Sequence, residues 1–272
     1  MVDVAKASEH VQDAKVFDLP FGVEIHIPQP PPIFSYQFTI TKFMILELVV
    51  AVLMLAIFVP LAWRISGGRP PRGRLWNLFE MMLVFIRDEV ARPAIGHHDA
   101  DRFLPYLWTA FFFVLFCNLI GLVPWMGSPT GALAVTGALA GVAFCTAVGA
   151  GMLKLGPVGF FKGQVPHMEL PLLLAIFLKP MILAIEVFGL CIKHTILAVR
   201  LLANMFAGHL VLAVIVGFIA ATAHTWLWYG VAPASVLGAA ALNLLEILIA
   251  FLQAYIFTFL SALFIGMVLH PH

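Results

Sequence analysis

Long apolar runs, separated by short polar or Gly/Pro-rich breaks, organise this chain. The first covers about residues 43–63 and stops at Arg64 and the Ser66-Gly67-Gly68 breaker. The second covers about 103–123, closed by Pro124, and the third about 132–153. Two longer runs follow, about 170–222 and 233–269, with Trp226, Trp228 and Tyr229 clustered in a turn near 226–230. Each run is long enough for the ~20 residues a helix needs to cross a hydrocarbon core. In lipid a backbone must satisfy its own polar groups, so the spanning elements are predicted to be helices. Between the first two spans, residues 69–102 are charged, with an amphipathic stretch at 75–90 that reads as an interfacial helix. Residues 154–169 hold Gly156, Pro157, Gly159, Gly163 and Pro166 and read as a loop.

The pattern therefore predicts an all-α integral membrane protein. It has about five transmembrane helices plus an interfacial amphipathic helix, and the last two spans form a long tilted hairpin. A helix of about 50 residues is about 75 Å long, against a hydrocarbon core of about 30 Å, so it must tilt, break or project. Residues 1–42, polar and then Pro-rich, form an N-terminal segment ahead of a membrane domain at 43–272. The start is poor in Lys and Arg and has no early apolar run, which argues against a cleaved signal or transit peptide.

Composition agrees: 62% of residues are hydrophobic and 11% charged, where a soluble domain carries roughly 25% charged residues. A net charge of +1 gives no footprint for nucleic acid. The three cysteines, Cys117, Cys145 and Cys191, are odd in number and far apart in apolar runs; buried thiols are expected. Charge also sets orientation. Arg64, Arg69, Arg72, Arg74, Arg87, Arg92 and Arg102 lie between the first two spans, and Lys154 and Lys162 follow the third. The connections at 125–131 and 223–232 hold no Lys or Arg. The excess of positive charge on one side predicts an N-terminus outside and a C-terminus in the cytoplasm.

The last two spans contain residues that lipid alone would reject: Glu186, Lys193, His194, Arg200, Asn204, His209, Asn243, Glu246 and Gln253. Arginine at the centre of a membrane helix costs about 2.5–3.5 kcal/mol on insertion scales, and it cannot escape by losing its proton. Arg200 therefore wants an anion or a watery cavity. Glu186, Lys193 and Arg200 recur every seven residues on one helix face, and Ala203 and Ala207 leave room beside that stripe for a neighbouring helix. The pairs Arg200/Gln253 and His209/Glu246 both have their midpoint near residue 227, inside the aromatic turn, so hairpin and polar pairs share one register. A His–Glu pair in a membrane can relay protons. Asn243 reads as a hydrogen-bonding link between helices, and Gly137 and Gly141 as a close-packing surface. His97-His98-Asp99 lacks a third ligand at useful spacing and reads as a solvated loop. Lys42 and Glu47 sit where they would anchor the first span, and His224, His270 and His272 carry no signal.

Residues 192–209, IKHTILAVRLLANMFAGH, and 246–257, EILIAFLQAYIF, closely resemble the signature of subunit a of F-type ATP synthases. The motifs CNLIGLVP at 117–124 and SPTG at 128–131 are similar to family motifs as well. The resemblance implies a stator in a bacterial inner membrane, or alternatively an organellar inner membrane, beside a rotating ring of c subunits, with b-type peripheral stalk subunits and, indirectly, the F1 sector as partners. It implies an outer proton half-channel lined by Asn204, His209, Glu246 and Gln253, with Asn118 as a possible outer entrance. It implies a cytoplasmic half-channel near Glu186 and Lys193. Arg200 would face the ring carboxylate, and the chain would hold no catalytic centre, cofactor or metal of its own. Two positions depart from the pattern. Some bacterial members carry Glu at the position of His209 and His at that of Glu246, so the pair is exchanged here; some carry Asp at the position of Gly121.

Two other classes compete. A secondary transporter binding its substrate at Arg200 would show repeated halves with broken helices, and no such repeat is visible. An intramembrane metalloenzyme using His194, His209 and Glu246 would need a metal motif, and no HExxH spacing is present.

Overall fold

The computed structural model describes residues 16–19, 23–29, 39–67, 73–123, 126–163 and 172–270. Helix dominates. The elements are α1 (Lys42–Ser66), α2 (Arg74–Phe85), a π-helical turn (Ile86–Ala91), α3 (Arg92–Ile95) and α4 (His97–Gly121). A 3-10 turn (Pro129–Gly131), α5 (Leu133–Gly163), α6 (Leu172–Thr222) and α7 (Trp228–Leu269) follow. Among the described residues five helices, α1 and α4–α7, are long and apolar enough to cross a membrane. The fold class read from the apolar runs stands.

Ahead of these helices lies something the sequence pattern did not announce. Strands β1 (Val16–Leu19) and β2 (Val23–His26) form an antiparallel hairpin, with Val16 opposite His26 and Leu19 opposite Val23. The next residues are held by Gln29, whose Nε2 donates to the Ile27 and Ile40 carbonyls at 3.2 and 3.0 Å. Its Oε1 accepts from the Ile40 amide at 3.0 Å, fixing the approach to α1.

The expected interfacial helix at 75–90 is α2 and the π-helical turn. One extra residue per turn widens the helix where Arg87, Asp88 and Arg92 lie, and Asp88 bonds both arginines, at 2.9 and 2.7 Å. The hydrogen bond from Arg87 holds the Asp88 carboxyl below its ordinary range; desolvation opposes this, and the charges of Arg87 and Arg92 add to it. The expected loop at 154–169 needs correction over its first part, because α5 continues to Gly163. Gly156 leaves helical geometry (φ 74°, ψ 161°), which a residue with a Cβ tolerates poorly. Pro157 then restarts the helix at the position where its missing N–H matters least. Residues 164–169 lie outside the described residues. The expected start of the last span also moves, from 233 to Trp228, so Pro233 lies inside the first turns of α7. His97-His98-Asp99 opens α4 instead of lying in a loop, with Asp99 bound to Lys154 at 2.6 Å.

The chain divides into two compact units. The first includes α1 as far as Ala62, Phe112–Thr136 and Arg200–Ala254. Its interior includes Phe43, Leu46 and Val50 of α1, with Phe58 against Phe112 at 4.5 Å between ring centroids. Lys42, expected as an anchor, is itself buried there. The second takes Trp63–Phe111, Gly137–Val199 and Tyr255–His272. Its core includes Ile86, Val90, Leu107, Ala143, Ala147, Leu197 and Ile265. Gly266 has no Cβ, and one added there would collide with the Ala94 carbonyl, so α7 meets the end of α3 backbone to backbone. Of the three thiols only Cys117 is buried; Cys145 and Cys191 are exposed on helix flanks, against expectation, because an apolar flank in lipid needs no protein cover.

Candidate functional site: the polar cluster on the α6–α7 hairpin

The hairpin closes through residues 223–227, where the Thr225 amide donates to the Thr222 carbonyl at 2.9 Å and that of Trp228 to Thr225 at 3.1 Å. That turn matches the midpoint expected from the polar pairs, and the register follows to within one helical turn. Gln253 accepts a hydrogen bond from Asn204 Nδ2 at 2.9 Å, one turn beyond the expected Arg200. Glu246 lies against α6 at Gly208, where an added Cβ would overlap its carboxylate oxygen. The backbone of His209 follows directly on α6, while its side chain lies outside the described residues.

Within the first unit, then, Asn204, Gly208, Glu246 and Gln253 form a polar contact line between apolar helices. Gln253 is 2% exposed and its Nε2 has no partner, so a buried donor remains available beside Asn204. Glu246 is 9% exposed. Arg200 is half-buried, and among the described residues no carboxylate forms an ion pair with it.

Asn118 is fully buried. Its Oδ1 accepts from Thr130 Oγ1 at 2.6 Å, and its Nδ2 donates over 3.4 Å to the Ala250 carbonyl of α7. Ser128 Oγ lies 2.7 Å from Thr130 Oγ1. A Cβ at Gly121 would overlap Ser128, so the turn carrying Ser128 occupies the space that a side chain there would need.

In the second unit, Glu186 and Lys193 are exposed on α6. The residue between them and Arg200 that the sequence reading left to a metal hypothesis, His194, points inward. It is 4% exposed, on the buried stripe that includes Leu190, Leu197 and Leu201. The Phe144 and Phe264 rings lie 5.3 and 4.6 Å from its own. Its Nδ1 is 2.9 Å from the Leu190 carbonyl, which can only accept, so Nδ1 carries a proton. Nε2 is buried without a partner. Among the described residues no three His, Cys, Asp or Glu side chains form a ligand set.

These are intramembrane polar groups on two long helices, and sequence comparison says in which family they occur. The family model for the ATP synthase A chain matches residues 44–266, which takes in α4–α6, α7 as far as Gly266 and the whole polar cluster. The chain belongs to the ATP synthase A chain family. The ATP synthase subunit a of Myxococcus xanthus (strain DK1622) is 42% identical over 229 residues, covering 84% of this chain and 72% of that one. That of Chloroherpeton thalassium (strain ATCC 35110 / GB-78) is 39% identical over 265 residues, covering 96% and 75%. That of Anaeromyxobacter sp. (strain Fw109-5) is 38% identical over 269 residues; this chain, 97% covered, spans 62% of its length.

For this member of the ATP synthase A chain family, three residues of the first unit's polar cluster carry no assignable role in the sequence: Gly208, Ser128 and Thr130. Gly208 was read only as part of a motif, because a close backbone approach leaves no mark on a single sequence. Ser128 and Thr130 were noted as a motif without a partner, and their partner, Asn118, lies 12 residues from Thr130. His194, which the sequence does single out, lies in the second unit as the polar member of an otherwise apolar stripe at helical spacing.

Proposed function

We propose that this chain is the proton-conducting a subunit of a membrane-bound ATP synthase. It translocates protons to and from carboxylates on a ring of c subunits through two offset half-channels, coupling the proton gradient to rotation and ATP synthesis. The observation that carries this reading is Arg200, a half-buried membrane cation with no carboxylate partner among the described residues, one turn from the Asn204–Gln253 hydrogen bond. A ring carboxylate arriving beside it would be favoured in its ionised form, since a nearby cation lowers a carboxyl pKa. The proton would leave there, and the fixed positive charge would bar a direct leak between the half-channels. Asn204, His209, Glu246 and Gln253 would carry protons on the outer side, and Glu186 and Lys193 would serve the cytoplasmic exit. Each charge moved is worth about 2.3 kcal/mol per 100 mV of membrane potential.

In this reading the chain is not itself an enzyme; it sits in a bacterial inner membrane with its N-terminus outside and its C-terminus cytoplasmic. The c ring, b-type peripheral stalk subunits and, indirectly, the F1 sector are its partners. Ala207 is exposed on α6 beside Arg200's stripe, which allows a direct test. With Ala207→Cys in this chain and a cysteine beside the ring carboxylate, oxidation should yield a cross-link to one ring subunit and stop ATP-driven proton pumping until reduced. A ring that never cross-links, or pumping that continues through the cross-link, would contradict the reading.

A further inference from the structure

The bonds around Asn118 form a chain whose direction follows from counting protons. Thr130 has one hydroxyl proton, and it goes to Asn118 Oδ1 at 2.6 Å, because a carbonyl oxygen can only accept. Ser128 must then be the donor to Thr130 Oγ1 at 2.7 Å. That leaves no proton for its contact with the Cys117 carbonyl at 3.4 Å, which competes for the same hydrogen from farther away. Asn118 passes the chain on through Nδ2 to the Ala250 carbonyl. All the hydrogens point one way, from the turn between α4 and α5 towards α7.

The chain ends on a backbone carbonyl. Neither hydroxyls nor an amide gain or lose a proton at physiological pH, and Asn118, Ser128 and Thr130 are each at most 1% exposed. Such a chain cannot take up a proton from water and hand it on. What it touches matters more. Ala250 lies one helical turn from Glu246 and less than one turn from Gln253, and it is itself fully buried. Gly121, which leaves room for Ser128, lets the turn close on the end of α4.

We infer that Ser128, Thr130 and Asn118 are positioning residues: a relay of hydrogen bonds from the α4–α5 turn that reaches α7 at Ala250 over 3.4 Å and sets how Glu246 and Gln253 face α6. Asn118 is then a strut of the outer half of the proton path and not its entrance. The inference rests on the proton-conducting role proposed above.

Cys117 supplies a built-in reporter, since it is fully buried beside this relay. In membranes holding the assembled complex, Cys145→Ser and Cys191→Ser would leave it as the one thiol of this chain. Silver ion or N-ethylmaleimide should leave Cys117 unmodified in that parent. Thr130→Val keeps the side-chain shape but removes both hydrogen bonds. It should open Cys117 to the reagent, cut coupled proton flux about tenfold and shift the dependence of flux on outer pH. Thr130→Ser should restore all three readings towards the parent. Should Thr130→Val not assemble, Ser128→Ala removes the bond to Thr130 and the longer contact to the Cys117 carbonyl but leaves the Thr130–Asn118 bond, and is read in the same way, with a smaller loss. Normal flux and an unshifted pH profile in whichever of these variants assembles would overturn the inference. So would a parent Cys117 that reacts freely from the outer side, which is the sign of a water-filled entrance. Arg200→Ala run alongside separates the two readings: if it pumps normally the conducting role itself fails, and if only the relay variants pump normally the relay alone fails.

Discussion

At Gly208 a missing side chain brings the Glu246 carboxylate against the backbone of α6. Helix propensity alone would make Gly208→Ala stabilising by about 0.5–1 kcal/mol. The contact reverses the functional expectation, because the new methyl needs the space that the carboxylate occupies. Gly208→Ala should therefore leave the level of assembled subunit intact while lowering ATP-driven proton pumping several-fold. Adding Glu246→Asp, which shortens the acid by one methylene, should recover part of it. Pumping unaffected by Gly208→Ala would remove Glu246 from that position. Single residues were only partly legible in the sequence. Arg200, Glu246 and Gln253 stood out because lipid rejects polar groups. Gly208 and the Thr130–Asn118 bond did not, since close approach and long-range pairing arise only once helices pack.

Helices were legible where lipid imposes a length and an apolar surface, so α1, α4, α6 and the body of α5 fell close to their expected places. Errors came at Gly and Pro. Gly156-Pro157 read as a loop and is a break followed by more helix, and Pro233 read as a start and lies within α7. The hairpin register was predicted from polar pairs and came out within a turn, with Gln253 on Asn204 instead of Arg200. The π-helical turn could not be foreseen, because an inserted residue does not disturb an amphipathic pattern enough to be seen. Its charge clamp has a pH signature. The Asp88 carboxyl is held low in the folded state, chiefly by its hydrogen bond from Arg87. Its contribution is present at pH values above the ordinary carboxyl range, and it is lost as pH falls through the lowered folded value. Limited proteolysis around residues 86–92 should accelerate on acidification in the parent chain. Asp88→Asn should cleave faster at neutral pH and lose that acid dependence; identical pH profiles would refute the clamp.

For the whole molecule, a membrane cation, Arg200, stands near a polar line on the α6–α7 hairpin, and among the described residues no carboxylate is ion-paired with it. Exposed side chains such as Phe188 on α6 and Leu244 and Leu248 on α7, at 69%, 71% and 68% exposure, give these helices apolar flanks suited to lipid or a partner helix. The most direct test is ATP-driven acidification of inverted membrane vesicles carrying Arg200→Ala in the assembled complex. The account predicts normal assembly with coupled pumping abolished, whereas pumping at the parent rate would contradict it.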